Sequence, residues 1–116
     1  MIKAGNELEV EYIENMHGGD GTIEITYFAK SPELNYRGKF YAKVVVHPGC
    51  SIGFHTHTED SEVIYIENGT LLYSDNGKEV TLSKGNVVMC PSGTGHSMKN
   101  IGSDDLVMMA NVIYAN

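Results

Sequence analysis

The sequence predicts an all-β fold, a sandwich or barrel built from short strands. Three observations indicate this fold class. Runs of β-branched and aromatic residues recur about every ten residues, clusters of Gly, Pro, Asn, Asp or Ser separate most of them, and helix signals are sparse. The predicted strands are Thr22–Phe28, Phe40–His47, Glu62–Glu67, Thr70–Ser74, Glu79–Leu82, Asn86–Cys90 and Leu106–Tyr114.

The N-terminal part carries weaker signals. Within residues 6–15 the apolar residues are spaced closer to strand alternation than to a helical stripe; they are Leu8, Val10, Tyr12 and Ile13. Residues 31–37 are typical of one helical turn, with Ser31 as the N-cap and Pro32 at the first helical position. At most one short helical turn is therefore expected near the N-terminal part of the chain.

The clearest local prediction is a β-hairpin over residues 71–82. Asn76-Gly77 suits a two-residue type I′ turn, because both central residues of that turn need a positive φ. The turn fixes the register and predicts four facing pairs: Asp75 with Lys78, Ser74 with Glu79, Tyr73 with Val80 and Leu71 with Leu82. The apolar pairs then share one face, as a half-buried hairpin requires.

Length and charge narrow the function classes. At 116 residues the chain has room for one domain, and no stretch approaches the roughly 20 apolar residues of a membrane span. The net charge is −7 with Arg37 as the only arginine, so nucleic acid and anionic membranes are poor partners. The N-terminus is acidic and shows no secretory h-region, and Cys50 and Cys90 form no CxxC motif. We therefore expect a cytoplasmic protein without a disulfide.

Three histidines and one glutamate form a candidate set of metal ligands. His55 and His57 stand at i and i+2 of a strand, where side chains point to the same face. A polar turn then allows Glu62 to project to the same side, and His96 arrives from another strand behind a run of turn formers. Such a set suits a divalent transition metal (Mn, Fe, Co, Ni, Cu or Zn) without selecting one. On an octahedral ion, two positions remain open for water, substrate or dioxygen.

The spacing of these residues resembles the two sequence motifs of the cupin superfamily. The first motif is matched by Gly49, His55, His57, Glu62 and Gly69. The second is matched by Gly85, Pro91, Gly93, His96 and Asn100. A short spacer that contains the hairpin joins them, as in small single-domain bacterial cupins. The resemblance covers residues 49–100 and fits every defining position.

The resemblance implies a jelly-roll fold and roles for several residues. It implies one antiparallel cupin barrel over residues 1–116, with an N-terminal arm at 1–21, motif 1 at 49–69 and motif 2 at 85–100. By the resemblance, one divalent metal ion is bound by His55, His57, Glu62 and His96, while Asn100 has no ligand role. Small cupins are often homodimers, so a homodimer is expected. An apolar outer face on the last strand, with Val107, Met109 and Ile113, favours such an interface.

Four further residues are candidates for the substrate pocket. Strand alternation places Ile64 with Glu62, and Met98 and Asn100 with His96, unless a bulge intervenes. Tyr73 and His17, the latter in a Gly-rich arm, complete this set; for each, a core or surface role is the alternative. Glu59 or Asp60 can orient a ligand histidine or serve as a base. Arg37, Lys39 and Lys43 are the candidate partners of an anionic substrate.

Two classes of function remain open at this point. The first is a metal-dependent enzyme that acts on a small polar organic molecule by dioxygenation, decarboxylation, isomerisation or lyase chemistry. The second is a non-catalytic module that binds a small molecule or only the metal. The sequence identifies no unambiguous general acid or base, so the catalytic residues are unassigned, and the cupin fold hosts many functions.

Overall fold

Residues 1–115, the part that the computed structural model describes, form strands joined by turns and three short 3₁₀ turns. The strands are β1 (Glu9–Glu14), β2 (Thr22–Lys30), β3 (Gly38–Val46), β4 (Ser51–Thr56), β5 (Asp60–Asn68), β6 (Thr70–Asp75), β7 (Lys78–Ser83), β8 (Val87–Cys90), β9 (Gly95–Asn100) and β10 (Leu106–Tyr114). The 3₁₀ turns are Gly5–Glu7, Met16–Gly18 and Ser31–Leu34. Within residues 1–115 no helix is long and apolar enough to cross a membrane.

Two antiparallel sheets face each other and make the jelly-roll barrel. The larger sheet has the order β1-β2-β3-β10-β5-β8, and the smaller has the order β4-β9-β6-β7. Alternate side chains of both sheets point inward, where they bury a core that includes Ile23, Val46, Ile64, Ile66, Leu71, Leu106 and Met108. The all-β prediction is confirmed, and so is the jelly-roll architecture that the resemblance implied.

The predicted hairpin is confirmed pair by pair. β6 and β7 pair in the register that puts Leu71 opposite Leu82, Tyr73 opposite Val80, Ser74 opposite Glu79 and Asp75 opposite Lys78. Asn76 and Gly77 have φ of 51° and 101°, as the type I′ turn requires. The turn chemistry therefore fixes which side chains of β6 face the barrel interior.

The N-terminal third confirms one expectation and corrects another. The strand-like spacing within residues 6–15 is confirmed, because Glu9–Glu14 is a regular strand that pairs with β2 along its length. The helical turn spans Ser31–Leu34, but its N-cap is Lys30 rather than Ser31. Lys30 keeps an extended backbone, and its N–H donates to the carboxylate of Glu33 at 3.2 Å, so the turn begins one residue earlier than predicted.

A β-bulge in β4 sets the direction of the residues that follow it. Ile52 pairs with Met98 and His55 pairs with His96, so three steps on β4 oppose two on β9. Ile52 is buried, whereas Phe54 is exposed and His55 turns inward. Without the bulge, strict alternation would point Phe54 and Thr56 into the barrel. The bulge thus brings His55 to the interior.

Candidate metal centre

Four side chains converge between the two sheets at one end of the barrel. β4 supplies His55, the loop after it supplies His57, β9 supplies His96, and β5 of the larger sheet supplies Glu62. One donor atom from each lies within 4.8 Å of all the others. The structure therefore brings together all four residues that the sequence predicted as ligands, in a group able to hold a metal ion.

The turn before β9 fixes the position of His57. The N–H of His57 donates to the carbonyl of Thr94 at 2.9 Å, and the N–H of Gly93 donates to the carbonyl of His57 at 2.7 Å. Thr94 also donates its hydroxyl to the carbonyl of Pro91 at 2.7 Å, which closes the turn on itself. Although β4 ends at Thr56, His57 is held nearly as firmly as a strand residue, and both of its backbone groups are satisfied.

Each histidine has a hydrogen-bond partner at Nδ1, which leaves Nε2 for the centre. The Nδ1–H of His55 donates to the carbonyl of Gly53 at 2.8 Å, and that of His57 donates to the carboxylate of Asp60 at 2.7 Å. Nδ1 of His96 lies 2.9 Å from the hydroxyl of Tyr73. Partners of this kind fix the tautomer and the ring plane of ligand histidines in metalloproteins. Asp60 therefore fills the orienting role that the sequence left open between it and Glu59.

The electrostatics of the cluster favour a neutral His55 and an ionised Glu62. Burial lowers the pKa of His55 to about 4, against the hydrogen bond to Gly53. Burial alone would raise the pKa of Glu62, but hydrogen bonds from His57 and His96 outweigh it and lower the pKa to about 2. The hydrogen bond to Glu62 raises the pKa of His57, against burial and with help from Asp60. The anionic Glu62 is thus ready to bind a cation.

The spacing of the donor atoms is a test of whether these residues fit a metal ion. The distances are 3.2 Å from His57 Nε2 to Glu62, 3.2 Å from His57 Nε2 to His96 Nε2, and 3.0 Å from His96 Nε2 to Glu62. With metal–ligand bonds of about 2.1 Å, right-angle neighbours lie about 3.0 Å apart and tetrahedral neighbours about 3.4 Å. The donor atoms are therefore spaced as ligands of one metal ion require.

A chamber of about 300 Å³ opens directly above the four side chains. Besides the cluster, its walls include the loop residues Thr58 and Asp60, the arm residues Met16 and His17, and Lys39 and Phe40 of β3. None of the ion pairs found in residues 1–115 involves Lys39. The chamber therefore offers an unpaired positive charge beside the candidate metal centre.

The arm between β1 and β2 is fastened to β4 and covers one side of the chamber. The ring of His17 stacks on that of His55, with ring centroids 3.9 Å apart and planes 15° apart. A Cβ on Gly53 would collide with the carbonyl of His17, and a Cβ on Gly19 would collide with the backbone of Ser51. The two glycines thus allow a backbone approach that places His17 over a predicted ligand.

The other predicted pocket residues lie below the cluster and not in the chamber. Ile64 and Met98 line a separate apolar cavity of about 40 Å³ beneath His55 and Glu62. Tyr73 is almost fully buried behind His96. Of the candidate pocket residues from the sequence, His17 alone lines the chamber within residues 1–115. Asn100 donates hydrogen bonds to the carbonyls of Val46 and Asp104, both at 2.8 Å, and so ties β9 to its neighbours.

Two chamber residues were missed by the sequence reasoning. Met16 lines the chamber from the arm and Phe40 lines it from β3. The sequence predicted Phe40 only as part of a strand, and it indicated no pocket role for Met16. Their role depends on contacts between distant parts of the chain, which local patterns do not reveal. Lys39, which the sequence indicates as a candidate partner of an anionic substrate, lines the chamber.

This combination of barrel and ligand cluster defines a class of protein. The sequence profile described as "Cupin domain" matches residues 42–112. The chain belongs to the cupin family.

Individual relatives agree with this assignment. The chain is 34% identical over 113 residues to an oxalate-binding protein of Thermotoga maritima, covering 97% of this chain and 93% of that protein. It is also similar to a crystal structure described as a predicted oxalate decarboxylase of Thermotoga maritima, with TM-score 0.92, 33% identity and coverage of 98% and 99%. The structure of KdgF from Halomonas sp. shares the fold at TM-score 0.74 and 18% identity, covering 97% of this chain and 93% of that one.

Proposed function

We propose that this cupin binds a small chelating carboxylic acid, of the class to which oxalate belongs, through a divalent transition metal. His55, His57, Glu62 and His96 are the proposed ligands, and the metal is one of Mn, Fe, Co, Ni, Cu or Zn. The observation that carries the proposal is the convergence of their donor atoms beside a chamber that His55, His57 and Glu62 line. When bound, the ion supplies open positions for carboxylate oxygens.

The charge distribution supports an anionic ligand. The chain carries a net charge of −7, so an acid is repelled from most of its surface. Lys39 and the proposed metal concentrate positive charge at the chamber, while Asp60 accepts a hydrogen bond from His57 and Glu62 is itself a proposed ligand of the metal. Lys39 therefore provides a second electrostatic attraction for an acid that chelates the ion. The similarity to a protein named oxalate-binding supports the same ligand class.

The size of the chamber supports a small ligand. Its volume of about 300 Å³ stands at the lower end of the range of typical ligand sites, roughly 300–1,000 Å³. The floor is closed, because the cavity beneath the cluster holds only about 40 Å³ and is lined mainly by apolar side chains. We infer that the acid stays on the chamber side of the metal.

Catalysis on the bound acid is the second candidate function, and His17 is the observation that favours it. Its imidazole lines the chamber and stands outside the proposed ligand set. Burial lowers the pKa of His17 and so favours its neutral imidazole form. In this case His17 is the group that exchanges a proton with the acid. Incubation of the metal-loaded protein with ¹³C-oxalate, followed by NMR for formate and carbon dioxide, separates turnover from binding.

Titration calorimetry of the metal-loaded protein with oxalate tests the binding function. We expect stoichiometric metal, saturable oxalate binding, and loss of both in His57→Ala. His47→Ala is the matched control, because His47 is exposed and bonds Asp105 away from the chamber. The proposal is contradicted if the purified protein binds none of the six metal ions stoichiometrically. It is also contradicted if the metal-loaded protein does not bind oxalate.

We further propose that the protein is a homodimer that buries the outer face of the larger sheet. Exposed apolar side chains lie side by side there across β3, β10, β5 and β8. Met109 faces Tyr65, which faces Val87, and Tyr41 and Met89 lie in the neighbouring row. A self-complementary pair of such faces makes a closed two-fold dimer. In sedimentation experiments we expect the wild type to be a dimer and Met89→Glu to be a monomer. A monomeric wild type contradicts the proposed dimer.

The cytoplasmic location stays a prediction from the sequence.

A further inference from the structure

A third cavity, of about 470 Å³, lies at the end of the larger sheet. The larger sheet has six strands and the smaller has four, and inward-facing side chains of β1 and β2 form part of this cavity's wall. Ile13, Ile25 and Phe40 line the groove, and the 3₁₀ turn at Ser31–Leu34 bounds its far side through Pro32. We call this cavity the apolar groove.

The apolar groove adjoins the chamber over the candidate metal centre. Met16, Lys39 and Phe40 line both cavities. The groove is therefore the neighbouring cavity for a substituent on a molecule held in the chamber. The combined space exceeds what a two-carbon acid such as oxalate fills, and it remains within the size range of small-molecule sites.

The two ends of the groove differ in whether their lysine is paired with a carboxylate. At the far end, Lys30 pairs with Glu9 at 2.7 Å and lies 4.4 Å above the ring of Tyr27. The hydroxyl of Tyr27 donates to Glu11 at 2.6 Å, so the polar end of Tyr27 is satisfied within the protein. Lys39, at the junction with the chamber, has no such partner within residues 1–115. An acid group thus belongs at the junction, and a neutral apolar group belongs in the groove.

We propose that the apolar groove is a subsite for an aryl or branched alkyl substituent of the acid bound in the chamber. The inference rests on the proposed function, because the carboxylate is placed by the metal and Lys39. It narrows the ligand class from small chelating acids to those with an apolar side group. Tyr27 and Phe40, whose rings meet edge to face at 5.6 Å, offer an aromatic wall for that group.

Calorimetry with pyruvate and phenylpyruvate on the metal-loaded protein tests the subsite, since the two share a 2-oxoacid head and differ by one phenyl group. Filling an apolar pocket with one more group improves affinity by roughly 10–200-fold, so phenylpyruvate should bind at least ~10-fold tighter. Its binding should also show the more negative heat-capacity change, the mark of buried apolar surface. The same experiment with oxalate reports the proposed function separately.

Substitution of the groove wall locates the phenyl group. Ile13→Trp fills the groove, and Ile13→Glu makes it polar; both should abolish the preference for phenylpyruvate and leave the pyruvate affinity unchanged. Tyr12→Trp is the control, because Tyr12 is the exposed neighbour on the opposite face of β1. Since β1 is an edge strand with no fully buried residue, these variants should fold.

Four results would overturn the subsite. Equal affinities for the two acids mean that the groove does not bind the phenyl group. A preference that survives Ile13→Trp and Ile13→Glu places the phenyl group elsewhere. In both cases, binding of pyruvate and oxalate leaves the proposed function intact. Loss of self-association in Ile13→Trp, with no phenyl preference in wild type, assigns the groove to a second copy of the chain. Failure of all three acids to bind contradicts the proposed function, and the subsite with it.

Discussion

The hydroxyl of Tyr73 contacts the most deeply buried imidazole of the candidate centre. His96 is 0% exposed and Tyr73 is 2% exposed, and the hydroxyl lies 2.9 Å from His96 Nδ1. Burial raises the pKa of Tyr73, so the phenol stays neutral and keeps both a donor and an acceptor. Without metal, Nε2–H of His96 can donate to Glu62 at 3.0 Å, and the phenol then donates to Nδ1. With a metal on Nε2, Nδ1–H donates to the phenol instead.

Tyr73→Phe removes this hydroxyl and almost nothing else. The ring stays in place, so no cavity appears, and the cost is that of a buried imidazole nitrogen left without its partner. Such a loss costs about 1–3 kcal/mol of unfolding free energy. Loss of the group that orients a ligand histidine weakens metal binding by roughly 10–100-fold. We expect both effects in the one variant.

Denaturant unfolding of the metal-free protein measures the first effect, and metal titration against a competing chelator measures the second. Tyr12→Phe is the matched control, since Tyr12 lies on β1, is 66% exposed and is bonded to no side chain in the described hydrogen-bond network. Surface changes of this kind stay within about 0.5 kcal/mol. If Tyr73→Phe unfolds at the wild-type midpoint and binds metal with the wild-type Kd, the hydroxyl does not hold His96 and the reasoning is wrong.

Three other perturbations have defined outcomes. Metal affinity should rise with pH between about pH 5 and 8, because the pKa of His57 is raised and its proton must leave before Nε2 binds; a pH-independent Kd contradicts this. Gly53→Ala should displace the carbonyl of His17 and release the arm, which faster amide hydrogen exchange at residues 15–21 will show; unchanged exchange means that the contact is not needed. Leu71→Ala should lower the free energy of unfolding by about 3–5 kcal/mol, because Leu71 is fully buried. Leu82→Ala, at the facing position of the hairpin, should lower it clearly less. Equal losses of unfolding free energy in denaturant contradict this prediction.

The parts of the fold that the sequence predicted best are those that short-range chemistry decides. The Asn76-Gly77 turn allows one register, so every pair of the hairpin followed from it. The burial of Ile64 beside Glu62 likewise followed from alternation along β5. These outcomes depend on neighbours within a few residues, and no distant contact changes them.

The candidate site was predictable in its residues but not in its shape. The spacing of the motifs identified the four residues that converge, while alternation alone would have failed at the bulge before His55. That bulge accompanies a contact between Gly53 and the arm near His17, more than thirty positions earlier in the chain. The placement of Met16 and Phe40 depends in the same way on packing across the barrel. Such contacts leave no periodic trace in the sequence.

The four proposed ligands do not belong to one sheet. His55 and His96 are carried by the smaller sheet, whereas Glu62 is carried by the larger one. An ion bound to all of them is a cross-link at the barrel mouth, so the sheets cannot part there without breaking a metal–ligand bond. Opening of the mouth therefore requires that at least one metal–ligand bond breaks first. A bound ion should then slow the separation of the two sheets at this end of the barrel.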